Sequence, residues 1–208
     1  MKRSLLLLTL LMAVLLPFIS FAQNNKQAID SIGVPGPILF QNISYSLARS
    51  SSTPDSATYN TYEQDYIATG DTLDTYKTML TLYIYTGNAN MDTLANAKVD
   101  ELRELQLTNS AVEYHPFSNK KTGELMIDFL TTENSDDGQY INMAERNVYR
   151  YETVTAKSGQ ECVLIFAVSK RSYGDDVAKF MDGLKSKTRV DLIKSVGQFK
   201  IPEITIIK

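Results

Sequence analysis

Tyr173-Gly174-Asp175-Asp176 is the stretch of this sequence that most invites a chemical reading, because adjacent aspartates can hold two metal ions. An apolar stripe at helical spacing follows directly, at Val177, Phe180, Met181 and Leu184. A helix N-terminus favours small and acidic residues at this place, so capping accounts for the pair. Asp136-Asp137-Gly138 suggests a calcium loop, but that pattern needs a Glu six residues after the glycine, and Ala144 stands there with Glu145 beside it. Turn chemistry explains these residues instead. His115 is the single histidine and Cys162 the single cysteine. One histidine without partners builds no zinc site. The cysteine sits in Cys162-Val163-Leu164-Ile165-Phe166, a context for a buried, inert thiol. A Cys162–His115 pair would require the two to meet across strands. No nucleophile motif, metal-ligand spacing or cofactor-binding pattern is present, and no cofactor is expected.

Two site-like features remain. The first is tyrosine. The chain has 12, and Tyr59, Tyr62, Tyr66, Tyr149 and Tyr151 form the candidate binding surface, since exposed tyrosine rows offer rigid area with a polar tip. The competing reading places them on sheet faces, packed under helices. The second is carboxylate. Glu113, Asp128 and Glu145 would make a hydrolase-type site if the fold brought them onto one sheet face.

The elements that must position these residues alternate in a simple order. Residues 38–40 and 43–47 read as strands, Ser50-Ser51-Ser52-Thr53-Pro54-Asp55-Ser56 as a loop, and the tyrosine-dotted stretch up to Gly70 as a weak strand. Residues 78–85 are apolar on both faces, as a central strand requires. Met91, Leu94, Ala95, Val99, Leu102 and Leu105 mark a helix. Strands with short turns follow around 111–115, 125–130, 147–151 and 162–168, which implies antiparallel neighbours. A helix from Asp175, a shorter one through Val190, Leu192 and Ile193, and a terminal edge strand over 204–207 complete the reading. This is an α+β domain: an antiparallel sheet of six to eight strands with helices on its faces. The order resembles the Mog1/PsbP-like α/β/α sandwich, and Tyr66-Ile67-Ala68-Thr69-Gly70-Asp71-Thr72-Leu73-Asp74-Thr75-Tyr76 is similar to segments in exported bacterial proteins of that kind. Members of that fold do unrelated things, so the resemblance implies no functional residues.

The N-terminus supplies an address. Lys2 and Arg3 precede an unbroken apolar run over 5–16, then Pro17, then Ile19-Ser20-Phe21-Ala22 with small residues placed for cleavage between Ala22 and Gln23. These are the parts of a secretory signal peptide over 1–22, and the run is too short for a spanning helix. A polar leader, flexible by its composition, is expected over 23–36, and a single domain over 37–208. Loss of Lys2 and Arg3 leaves 19 basic against 24 acidic residues, a net charge of −5, which argues against nucleic acid as a partner. No stable membrane span is expected after cleavage. Asp30-Ser31-Ile32, Asp55-Ser56-Ala57, Asp71-Thr72-Leu73 and Asp92-Thr93-Leu94 resemble the Asp-Ser/Thr-apolar acceptor of O-glycosylated exported proteins in one group of Gram-negative bacteria, with Ser56 and Thr72 the candidate acceptors. The expectation is a periplasmic or secreted, non-catalytic binding or envelope assembly-accessory domain, meeting a protein or glycan partner. The rivals are the carboxylate enzyme and a purely structural envelope component.

Overall fold

The computed structural model describes residues 28–55, 59–119, 122–184 and 187–207. The signal peptide, the first part of the leader and Ser56 lie outside the described residues. Eight strands form one antiparallel sheet: β1 (Ile38–Phe40), β2 (Ile43–Asp55), β3 (Tyr59–Ala68), β4 (Thr78–Gly87), β5 (Glu113–Ser118), β6 (Leu125–Asn134), β7 (Ile141–Thr155) and β8 (Glu161–Tyr173). Their order across the sheet is β1-β2-β3-β4-β8-β7-β6-β5, so β4 and β8 join two meanders at the centre. The α+β architecture and the antiparallel sheet are as the pattern implied.

Strand parity explains how the sheet is covered. Leu80, Leu82 and Ile84 of β4 stand opposite Val168, Phe166 and Leu164 of β8, all buried on one face. Tyr83 and Tyr85 point to the other face with Ile165, Tyr151, Ile127 and Phe129. Both faces are apolar, so both need a cover. Helix α1 (Met91–Thr108) packs Ala95 and Leu102 on the second face. It starts where Asn90 Oδ1 accepts the Thr93 N–H at 2.9 Å, an N-cap that satisfies one orphan donor. It stops at Asn109, whose side chain is drawn away to Thr132 O at 3.1 Å. On the first face α3 (Lys187–Gln198) buries Leu192 and Val196. Helix α2 (Asp176–Leu184) packs Val177 beside Leu130 and Ala144. The result is a three-layer arrangement, with one helix on one face and two on the other.

Three expectations are corrected. The Ser/Thr loop at 50–55 is the outer half of β2, paired residue by residue with β3 from Ser50↔Gln64 to Asp55↔Tyr59. Its composition suggested a loop, but ladder hydrogen bonds from β3 are indifferent to exposed side chains such as those of Ser51, Ser52 and Thr53. The tail at 204–207 is not a strand, although Thr205 N and Ile207 N donate to Ile32 O and Ser31 O at 2.9 Å each. The leader is also not free over its described part. Ile32 and Val34 are buried in the main core. Gly33, at φ +72°, lies so close to the tail that a Cβ there would meet Thr205 Cβ at 2.7 Å.

Gln64 is what fastens this segment. Its Oε1 accepts from Ser31 N at 2.7 Å and Ile32 N at 3.2 Å, its Nε2 donates to Val34 O at 3.1 Å, and Tyr66 Oη donates to Val34 O at 2.6 Å. An apolar replacement leaves the half-buried Ser31 N–H without its acceptor, while Ile32 N keeps Asp30 Oδ1 at 3.1 Å and Val34 O keeps Tyr66 Oη. Gln64→Leu is therefore expected to lower stability by about 1–2 kcal/mol in urea, the cost of one unpaired group. Hydrogen exchange should accelerate at the Ser31 amide, whereas unchanged protection there would refute this role.

Candidate functional site

The five candidate tyrosines do not form one surface. Tyr62 and Tyr66 face the α2/α3 side, opposite Ile84 and Leu80, while Tyr59, Tyr149 and Tyr151 face the α1 side. Tyr66 is 0% exposed and Tyr151 1%. Tyr149 is half-buried, with its ring centroid 5.0 Å from Phe129 and 6.2 Å from Tyr83, and Lys98 of α1 lies 5.6 Å over it. Tyr59 meets Tyr85 edge-on at 5.7 Å. Burial raises the Tyr66, Tyr149 and Tyr151 phenols above the ordinary tyrosine value. Rows spaced by two on strands covered by helices are packing rows, so the exposed-row expectation gives way to the competing reading.

The three carboxylates do not converge. Asp128, opposite Val148, and Glu113, opposite Leu130, share the α2/α3 face two strand positions apart, whereas Glu145, one residue before Arg146, points to the α1 face. There Glu145 accepts from Tyr76 Oη at 2.5 Å and pairs with Arg171, whose guanidinium lies 4.1 Å over the Tyr76 ring. Glu113 is exposed on edge strand β5. His115 is exposed on β5 too, while Cys162 is buried in β8 with β7 and β6 between them. Among the described residues no group of His, Cys, Asp and Glu gathers to hold a metal ion. Asp176 opens α2, and Asp137 accepts from Ser135 Oγ at 2.6 Å and from Gln139 N at 3.1 Å within its turn. Thr72 is exposed, its hydroxyl 2.9 Å from that of Thr75.

The chemistry of this fold gathers elsewhere, where α2 and the start of α3 rise from the ends of β7 and β8. A cleft of about 520 Å³ opens there, within the range of small-ligand sites. Phe180 and Leu184 of α2 and Leu192 of α3 form its apolar wall. Its floor holds Arg146 and Lys170, which stand directly opposite each other on β7 and β8. Like charges in that relation destabilise a sheet. The Arg146 side chain is only 4% exposed, and its Nη2 forms an ion pair with Asp128 Oδ1. Arg146 Nε has no hydrogen-bond partner among the described residues. Asp128 is shared with Arg189, whose Nε reaches its Oδ2 at 2.8 Å. Lys170 Nζ donates to Gln41 Oε1 at 3.3 Å on the exposed side, and partial burial pulls its ammonium below the usual lysine range. Burial likewise lowers the Arg146 guanidinium against the pull of Asp128, although an arginine stays charged at neutral pH.

Sequence reasoning passed over Arg146 and Lys170. Parity carried the signal: Leu164, Phe166, Val168 and then Lys170 continue one inward face, as do Val148 and Arg146. A cation at the next inward position of a core strand needs a reason to be there.

A protein-family model, for an uncharacterised family, matches residues 32–201. The chain belongs to that family. The matched span begins at Ile32, the residue that Gln64 fastens, and takes in all eight strands, all three helices and every residue of the cleft. No curated protein and no solved structure matches the chain. Among the described residues no helix is long and apolar enough to cross a membrane.

Proposed function

We propose that this is an exported binding protein, non-catalytic, whose site is the cleft between α2, α3 and the sheet. The observation that carries the reading is the cleft itself: an apolar wall over a floor where buried Arg146 and half-buried Lys170 stand side by side. Sites of this kind hold a small molecule by apolar burial and orient it with a few polar groups. The tyrosines support the fold and leave the cleft as the binding feature. Export rests on the pattern of residues 1–22, and the three-layer arrangement supports placing the fold among Mog1/PsbP-like sandwiches. In that setting the domain serves the cell envelope as a carrier or accessory and does not transform its ligand.

A neutral solvatochromic naphthalene ketone tests the cleft. Saturable, blue-shifted emission with the purified full chain is expected, and Leu184→Glu should abolish it while the far-ultraviolet spectrum is kept. Emission that never saturates, or that survives Leu184→Glu, would overturn the site. For export, N-terminal sequencing of the protein recovered from cells should begin at Gln23. A product that retains Met1 would refute cleavage.

A further inference from the structure

The cross-strand pair Arg146 and Lys170 has a consequence for what the cleft accepts. The chain as a whole is acidic, with 21 Lys and Arg against 24 Asp and Glu. The cleft reverses that balance: Lys77, Arg146, Lys170 and Lys179 line it, against Asp176, while Arg171, also on the lining, turns its guanidinium to Tyr76 and Glu145 on the far face of the sheet. Two carboxylates offset part of this charge: Asp128 is divided between Arg146 and Arg189, and Glu113 on edge strand β5 acts on Arg146 from farther off on the same face. Lys170 has no carboxylate within ion-pair distance among the described residues, and Arg146 Nε has no partner there. Two neighbouring cations, one buried and one half-buried, and short of anion, cost stability in the empty protein. An oxyanion placed between them would supply the missing charge and acceptors at once, since charge-assisted hydrogen bonds are the strong ones.

We infer that the ligand is an amphiphile: an oxyanion, carboxylate or phosphate, seated on Lys170 and Arg146, with an apolar body against Phe180, Leu184 and Leu192. This inference rests on the cleft being the binding site. The geometry orders the ligand with its head down on the β7–β8 floor and its chain along α2. A cationic head is excluded by repulsion at the floor, and a neutral head forgoes the charge-assisted bonds. The apolar wall gives a bare anion, such as acetate, nothing to bury.

Calorimetric titration of the full chain with octanoate, octyl phosphate, octanol, octyltrimethylammonium and acetate tests this. Octanoate or octyl phosphate should bind at least tenfold more tightly than octanol, with no measurable heat from the ammonium or acetate. The stronger of the two anions identifies the head group. Lys170→Gln should weaken the anions by roughly 10- to 100-fold and leave octanol unchanged, as expected for one charge-assisted bond. The same variant should melt no lower than the wild type without ligand, because it relieves the like-charge pair. Octanol binding as well as octanoate, or indifference of the anions to Lys170→Gln, would overturn the anionic head while the cleft remains a site. Failure of all five probes, in a protein that still binds the naphthalene ketone at the cleft, would overturn the amphiphile. Failure of the ketone as well would remove the cleft reading first.

Discussion

Asp128→Asn should be the most damaging single exchange among the polar residues of this domain, at about 3–5 kcal/mol, the range for removing one partner of a buried ion pair. Asp128 is 0% exposed and carries the only carboxylate that reaches Arg146 within ion-pair distance among the described residues. Amide in place of carboxylate keeps the shape and removes the charge, so Arg146 is left buried and uncompensated. The guanidinium has no escape by losing its proton, because its pKa stays far above neutral even when burial lowers it. Urea unfolding measures the loss as a lower midpoint at constant slope. The double exchange Asp128→Leu with Arg146→Met should recover most of it, since apolar groups of similar size often replace a buried pair at little cost. A loss below about 1 kcal/mol in Asp128→Asn, on the surface-pair scale, would show that the pair is not buried as described. The exchange should also leave Arg146 freer for a ligand. The folded fraction of Asp128→Asn is therefore expected to bind octanoate more tightly than the wild type, a gain that damaged packing would not produce.

The parts of this fold that could be read from sequence are those where pattern and packing agree. The density of Met79, Leu80, Leu82, Tyr83, Ile84 and Tyr85 announced a central strand, because both of its faces are covered. Leu94, Ala95 and Leu102 announced a helix over a sheet. The misses share a cause: burial there is decided by partners distant in sequence. Ser51, Ser52 and Thr53 have no strand pattern of their own and extend β2 because β3 supplies the ladder. Ile32 and Val34 lie in a polar stretch and are fastened by Gln64, thirty residues on. The tyrosines looked like a surface because nothing local says whether a helix will cover them. The cleft was the least legible feature, since its floor comes from β7 and β8 and its wall from α2 and α3. No window of sequence contains it, and only strand parity hints that Arg146 and Lys170 point the same way.

Phe166→Ala should cost about as much as the loss of Asp128, about 3–5 kcal/mol, for a different reason. Phe166 is 0% exposed at the centre of β8, and its ring joins three segments that are far apart in the chain. It stacks on Phe199, just past α3, at 4.5 Å between centroids, and meets Phe40 of β1 edge-on at 5.9 Å, while Phe40 and Phe199 touch at 5.7 Å. The backbone around Phe199 is pinned as well, since Arg150 Nη1 donates to Phe199 O at 2.7 Å and to Val196 O at 3.3 Å. A pinned neighbour cannot collapse into the space, so the cavity stays open and the cost sits at the upper part of the range. Phe199 is half-buried, and Phe199→Ala alone should cost less. The two exchanges together should cost less than their sum by about 0.5–3 kcal/mol, because each removes the same stacking contact. Strict additivity in urea would refute the shared stack. Helix α3 also carries Leu192 from this core to the wall of the cleft. Loosening its C-terminal end should therefore weaken octanoate binding in Phe199→Ala, linking the centre of the sheet to the site above it.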